Sequence, residues 1–176
     1  DLQLPNTLAY RDYIAWLQQQ DVSQAERFWR DTLSGFHQPT VLPLGRHPNE
    51  LSSGEPLHGE RHVPLTSELS RRLQERARSE QVTLNTVLQG AWALLLARYS
   101  GTSDVVFGAT VSGRPPELPG VEEMIGLFIN TLPVRVRMKQ EQQVWDWLRQ
   151  LQEQQLEMRQ YEYSSVTQVQ QWSEVG

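Results

Sequence analysis

Few residues in this chain have the type and spacing that chemistry needs, so each is weighed in turn. His58 and His62 form an H-x3-H pair, which on a helix would hold two imidazoles over one metal ion. Gly54, Pro56, Gly59 and Pro64 disfavour a helix there, and on a strand residues four apart lie about 13 Å from each other, too far to share an ion. Strand-surface histidines are expected, and no metal site. Glu122 and Glu123 are adjacent and point in different directions, so they read as a solvated loop rather than an acid–base pair. No G-x-S-x-G elbow surrounds Ser112, and no G-x4-G-K-[ST] phosphate loop occurs. Zero cysteines exclude thiolate nucleophiles, disulfides and sulfur-ligated zinc. What remains is a set of unusual loop residues: Tyr10 to Trp16, Ser112 to Pro115, and Ile125 to Arg135.

The elements that must position these loops follow from periodicity. Tyr10, Tyr13, Ile14 and Leu17 share one face of a helix. Ser23, three residues ahead of Glu26, predicts a capping box for a second helix with Phe28, Trp29 and Leu33 inward, ended by Gly35. Pro39 to Pro56 reads as a long surface excursion. A strand is expected over Leu57 to Leu65, then a helix capped by Thr66 or Ser67 with Leu69, Leu73 and Ala77 inward. The next helix, Thr83 to Tyr99, is apolar around most of its circumference at 91–97, as if packed on several sides. Val105 to Val111 reads as a strand buried on both faces. A second strand alternates Leu132, Val134, Val136 and Met138 against Thr131, Pro133, Arg135 and Arg137, with Pro133 arguing for an edge or a bulge. A last long helix, Glu141 to about Gln160, turns Val144, Trp147, Leu148 and Leu151 inward. The order ααβααββα predicts one α/β domain built as a two-layer α+β sandwich over residues 1–176.

Composition narrows the class of function. The chain has 176 residues, a formal net charge of -5, and no surplus of Lys and Arg with which to track a phosphate backbone. No window approaches the ~20 apolar residues of a membrane span, and the first residues lack the pattern of a signal peptide. A soluble, cytoplasmic protein is the expectation, with neither nucleic acid nor membrane as partner.

The three loop segments resemble motifs of the condensation-domain family of nonribosomal peptide synthetases, in the same order. They are Tyr10-Arg11-Asp12-Tyr13-Ile14-Ala15-Trp16, Ser112-Gly113-Arg114-Pro115, and Ile125-Gly126-Leu127-Phe128-Ile129-Asn130-Thr131-Leu132-Pro133-Val134-Arg135. The segment from Thr83 to Gly108 is similar to the family's helix-and-strand pair. The resemblance implies a chloramphenicol-acetyltransferase-like lobe, half of a V-shaped domain with a tunnel between lobes. Two carrier proteins present phosphopantetheine thioesters there, and no cofactor is bound directly. The family's H-H-x3-D-G motif is absent, since no two histidines are adjacent. The chain therefore looks like the C-terminal lobe alone, expected to display an apolar strip where the other lobe packs. Near the end, Tyr161-Glu162-Tyr163-Ser164-Ser165 and Val169-Gln170-Gln171-Trp172-Ser173 replace the usual His-Gln-Asp-x-Pro-Phe-Glu pattern.

By the same resemblance, Ser112, Gly113, Gly126, Phe128, Asn130 and Thr131 line the pantetheine tunnel, and Tyr10, Asp12, Trp16, Arg114 and Arg135 belong to structural motifs. No catalytic residue is expected in this chain, with Asn130 as an auxiliary candidate. Its amide can donate and accept toward an amide-forming intermediate or an approaching amine, or it fixes its own turn. Arg114 or Arg135 can bind backbone carbonyls or a carboxylate. Asp12 beside Arg11 reads as a helix-end ion pair, and the stripe Arg71 to Arg78 as a solvated face or a contact for an acidic carrier. The implied activity of the parent is transfer of a carrier-bound acyl or peptidyl thioester to the amine of a carrier-bound aminoacyl thioester. The implied partners are carrier proteins, the N-terminal lobe and an adjacent adenylation domain. A non-catalytic docking lobe and an epimerisation-type relative are the alternatives.

Overall fold

The computed structural model describes residues 8–42, 60–139 and 141–175. The order is α1 (Tyr10–Gln18), α2 (Val22–Leu33), α3 (Ser67–Ser79), α4 (Leu84–Ser100), β1 (Asp104–Val111), β2 (Asn130–Arg137), α5 (Val144–Met158) and α6 (Val166–Trp172). Single turns of 3-10 helix lie at Val121–Glu123 and Arg159–Tyr161. Packing gathers the chain into two units. The first holds the described residues of 1–39, 106–135 and 153–176, and the second those of 40–105 and 136–152.

In the first unit, α2 starts at Asp21 and not at a Ser23–Glu26 box. The Asp21 carboxylate accepts from the Ser23 and Gln24 amides at 3.0 and 3.2 Å and from the Ser23 hydroxyl at 2.6 Å. That hydroxyl and the Gln24 amide hold the Asp21 carboxyl below its ordinary range. An Asp two residues earlier supplies a charged acceptor to the free amides, which leaves Glu26 to pair with Arg30 at 2.8 Å. Gly35 then ends the segment at φ +74°. Ala25, Trp29 and Leu33 bury one stripe of α2, which packs against α6. The α6 helix went unforeseen because the glutamine-rich tail hides a true capping box, Ser165 with Gln168. On α1 only Tyr13 is buried, and Ile14, expected inward, faces solvent.

In the second unit, Thr66 caps α3 and Thr83 caps α4, each accepting an amide three residues on. Gly101 closes α4 in the left-handed conformation, and the Gly101 amide bonds the Ala97 carbonyl. The buried stripe of α4 runs through Thr86, Gly90, Ala93 and Leu96. At Gly90 the bare backbone lets Leu148 and Trp147 of α5 lie against the helix, the Trp147 ring 3.2 Å from where a Cβ would stand. The Gln152 side chain accepts from the Thr83 amide at 2.7 Å and donates to the Gln81 carbonyl at 2.8 Å, tying α5 to the start of α4.

Four expectations fail here for physical reasons. Residues 60–65 form no strand, and 57–59 lie outside the described residues, as do 43–56 of the excursion. The α4 helix is covered on one side only, with Leu88, Trp92, Leu94, Leu95 and Tyr99 all exposed. Within β1 only Val105 is buried, and among the described residues the strand pairs with β2 in a two-stranded sheet. Leu69 and Val144 are also exposed. The strands run antiparallel, since Ser103 bonds Met138 at 2.8 Å while Gly108 lies against Thr131 farther along. Along β2, Leu132, Val134 and Val136 are buried as the alternation requires, but so is Arg135.

The open face of α4 gives a direct expectation. Leu88→Gln and Leu95→Gln change the stability of this chain by less than about 0.5 kcal/mol each, because nothing is lost from a packed site. Ala93→Gln, at a position of zero exposure, costs several times more by overpacking. Chemical denaturation of the three variants checks this, and a large loss at Leu95 would show that the face is covered.

Candidate functional site

The motif loops converge in the first unit on an aromatic core made by α1 and the segment before β2. Tyr13, Val121, Met124 and Phe128 are buried together, with Tyr10, Trp16, Leu17 and Leu118 packed against them. The Phe128 ring meets Tyr13 at 4.7 Å and Tyr10 edge-on at 5.2 Å between centroids. Tyr13 stacks on Trp16, and Trp16 meets Tyr163 edge-on. The Tyr10 hydroxyl donates to the Leu127 carbonyl at 2.6 Å, and the Tyr10 ring lies where a side chain at Gly126 would project. Burial pushes the Tyr13 hydroxyl up, with Tyr10 and the carboxylate of Glu162 adding to it, and burial likewise raises Tyr163.

The two motif arginines act as carbonyl clamps. Arg114 lies over the Phe128 ring at 4.0 Å and donates to the Val121 and Met124 carbonyls, closing the loop between β1 and β2. Arg135 donates to the Thr32 and Ser34 carbonyls at 3.1 and 2.7 Å, satisfying the C-terminal end of α2. Period-two reading put Arg135 on the solvent face. It is instead 5% exposed, because a helix end with unpaired carbonyls covers that position and a guanidinium is the side chain that satisfies two of them.

Asn130 stands at the first residue of β2 with its amide fully engaged. Its Nδ2 donates to the Glu162 and Ser164 carbonyls at 2.8 and 2.7 Å, and its Oδ1 accepts from the Thr131 amide at 2.9 Å. Thus Asn130 joins the mouth of β2 to the 162–164 turn. Gly113 completes the junction: at φ +64° its backbone lies against the Phe128 carbonyl. Ser164 is buried and accepts from the Trp29 indole at 2.9 Å.

Ser112, Gly113, Phe128, Asn130 and Thr131 are therefore brought together, and Gly126, Tyr10 and Trp16 border them. Phe128 is core, while its neighbours Ile125, Leu127 and Ile129 are 86%, 76% and 66% exposed. Alternation in an extended segment was the signal for these outward residues, and the motif's aromatic drew attention away from it. Asp12 pairs with Arg11 at 3.8 Å on the surface. Arg71 is tied to Glu68 and Glu75 on the exposed side of α3. Glu122 and Glu123 are exposed on one 3-10 turn. His37 and His62 pair with Glu174 and Glu60, whereas His47 and His58 lie outside the described residues. Among the described residues, no cluster of side chains fit to hold a metal ion is found, and no helix is long and apolar enough to cross a membrane.

Glu162 is the member of this site that sequence reasoning passed over. It lies half-buried, and burial raises its carboxyl above the ordinary 4.5, against the opposing effects of Arg159 and the Gly113 amide. For an acid whose folded value is raised, the stabilising share is present below the unfolded value and is lost as pH rises through the folded one. Glu162→Gln is therefore expected to raise the melting temperature at neutral pH, with the gain vanishing near pH 4. Melting curves across pH 4 to 8 measure it, and a variant less stable than the parent throughout contradicts it.

This geometry has close counterparts. Residues 1–175 match the family described as Condensation domain. A linear gramicidin synthase from Brevibacillus parabrevis is 53% identical over 174 residues, covering 99% of this chain and 3% of that protein. The crystal structure of the X-domain from teicoplanin biosynthesis superposes with a TM-score of 0.72 at 28% identity, over 97% of this chain and 39% of that one. The first condensation domain of the CDA synthetase matches in fold, with a TM-score of 0.74 at 15% identity over 96% and 36% of the two chains. The mixed helix-and-strand architecture with a small sheet is thus that of these chloramphenicol-acetyltransferase-like relatives. The chain spans only a few per cent of the synthetase it matches, and over that span it belongs to the condensation-domain family of nonribosomal peptide synthetases.

Proposed function

We propose that this chain forms the C-terminal lobe of a condensation domain and builds one wall of its tunnel. In the complete domain, an N-terminal lobe carrying H-H-x3-D-G faces it. There a carrier-bound acyl or peptidyl thioester is transferred to the amine of a carrier-bound aminoacyl thioester. The amine attacks the thioester carbonyl, the C–S bond breaks, and the donor carrier leaves with its thiol. The phosphopantetheine arms belong to the carriers and enter as parts of the substrates. An adjacent adenylation domain supplies the aminoacyl group, and the cytoplasm is the compartment of the assembly.

One observation carries this reading. The segment 125–129 turns Phe128 into the aromatic core and leaves Ile125, Leu127 and Ile129 exposed beside Ser112 and Asn130. Apolar rows of this kind on an otherwise polar chain mark surfaces that a partner covers. The chain's own share is to keep Ser112 and Gly113 beside the mouth of β2 and to exclude water from an apolar wall. Proximity of two tethered reactants contributes as much as ~7–11 kcal/mol when orientation is good, and a single open lobe does not provide it. A mass-spectrometric assay with loaded carriers, run with this chain, with the N-terminal lobe and with both, tests the proposal. Product is expected only when both lobes are present. Amide formed above the uncatalysed rate by this chain alone would overturn it.

A further inference from the structure

The wall segment 125–129 is held at both ends by side chains already described. At one end Arg114 donates to the Met124 carbonyl at 3.1 Å, and at the other the Asn130 side chain donates to the Glu162 and Ser164 carbonyls. An extended stretch fixed at its ends can still roll about its own length. Rolling would exchange the outward set Ile125, Leu127 and Ile129 with the inward Phe128. Tyr10 of α1 opposes that roll through three consecutive residues. Its hydroxyl donates to the Leu127 carbonyl at 2.6 Å, and its ring meets Phe128 edge-on at 5.2 Å. The same ring occupies the side-chain place at Gly126, with Cε2 and Cγ 2.6 and 2.8 Å from where a Cβ would stand. A larger residue at 126 would push the ring, and its hydroxyl with it, off the backbone.

We propose that Tyr10 is a positioning residue of the condensation reaction, whose hydroxyl holds the Leu127 carbonyl so that Ile125, Leu127 and Ile129 stand in the tunnel wall. The proposal rests on the function given above and adds a residue that acts through another segment. The ring packs, and the hydroxyl sets how far the backbone of 127 is turned. This hydrogen bond is exposed, so water takes the place of a lost hydroxyl and folding loses little. What changes is the placement of an apolar wall against tethered reactants, where a shift of about 1 Å costs on the order of a hundredfold in rate. The effect on chemistry therefore exceeds the effect on stability.

Two readouts on the complete synthetase test this independently, each with Tyr10→Phe, which keeps the ring, and with Tyr10→p-aminophenylalanine, which returns an N–H donor to the same place. The first is single-turnover amide formation with loaded carriers. Tyr10→Phe is expected to lower the rate about tenfold, with KM for the loaded carriers changed less than about twofold. Melting of the same sample is expected to shift by less than about 3 °C. The p-amino variant is expected to recover most of the rate, and Tyr99→Phe, at an exposed tyrosine of α4, to keep the parent's. The second is brief chymotrypsin treatment with cleavage mapped by mass spectrometry. Cutting after Leu127 and Phe128 is expected to quicken several-fold in Tyr10→Phe and to slow again in the p-amino variant. A parental rate in Tyr10→Phe, a loss that the p-amino group does not relieve, or cleavage at 127–128 indifferent to the hydroxyl overturns the proposal. Absence of amide formation in the parent itself would instead refute the function, and the cleavage pattern would still decide whether the Tyr10 hydroxyl holds the segment.

Discussion

Gly113→Ala is expected to destabilise the protein by roughly 3–5 kcal/mol, and for a chain of this length to lower the melting temperature by about 10 °C or more. Two effects add. A left-handed φ costs an alanine about 1 kcal/mol. The new Cβ also meets the Phe128 backbone, with the carbonyl carbon 2.8 Å away, and a backbone carbonyl held by the aromatic core cannot rotate aside. Gly35 and Gly101 separate the two effects. They have φ of +74° and +73° with nothing within 4 Å of where a methyl would stand, so Gly35→Ala and Gly101→Ala carry only the backbone cost of about 1 kcal/mol. Thermal melts of the three variants compare them directly. Equal losses at all three would mean that the Ser112–Gly113 turn is not pressed against 128.

Trp29→Ala is expected to cost about 3–5 kcal/mol, because a side chain with no exposed surface is removed from the α2 packing face. Its indole also carries the hydrogen bond to Ser164, a residue 1% exposed, so the loss is not only one of volume. Trp29→Phe keeps most of the ring and strands the Ser164 hydroxyl, which costs about 1–3 kcal/mol for an unsatisfied buried group. Ser164→Ala placed in that background removes the stranded group and is expected to restore part of the loss. Denaturant midpoints for the double-mutant cycle measure the coupling. Strict additivity would place the indole and the hydroxyl in separate environments and detach the 162–164 turn from α2.

How much of this was legible in the chain differs by residue, for physical reasons. Helices with strong local signals were readable: the Thr66 and Thr83 caps, the Gly101 terminus and the existence of α1 all depend on neighbours within four residues, although Ile14 of the expected α1 face turned outward. The family motifs also named the loops that come together, Ser112 to Arg114 and Gly126 to Asn130. What escaped depends on distant neighbours. Arg135 is buried because α2, a hundred residues earlier, ends with unpaired carbonyls beside it, and no period in β2 carries that information. The α4 centre is as apolar as a fully packed helix, yet what lies across each face is a tertiary matter, and one face is open. Glu162 sat in a run noted only for departing from the family's usual pattern, and its place in the junction comes from the Asn130 side chain on its carbonyl, distant along the chain. Asn130 looked equally fit for chemistry and for architecture until both of its donors were found on carbonyls.

Asn130 is therefore where the account is most directly tested. Its two donors bridge β2 to the 162–164 turn, and its acceptor holds the Thr131 amide. The claim is that these loops form one framework, which the amide serves by holding backbone rather than by touching the reacting atoms. The measurement is single-turnover amide formation by the complete synthetase carrying Asn130→Ala, normalised to the folded fraction from thermal melting of the same sample. Leaving two part-buried carbonyls unpaired costs about 1–3 kcal/mol, so melting is expected to fall and activity to fall with it. Activity lost by a hundredfold or more at unchanged melting temperature would contradict the account and put the Asn130 amide on the transition state.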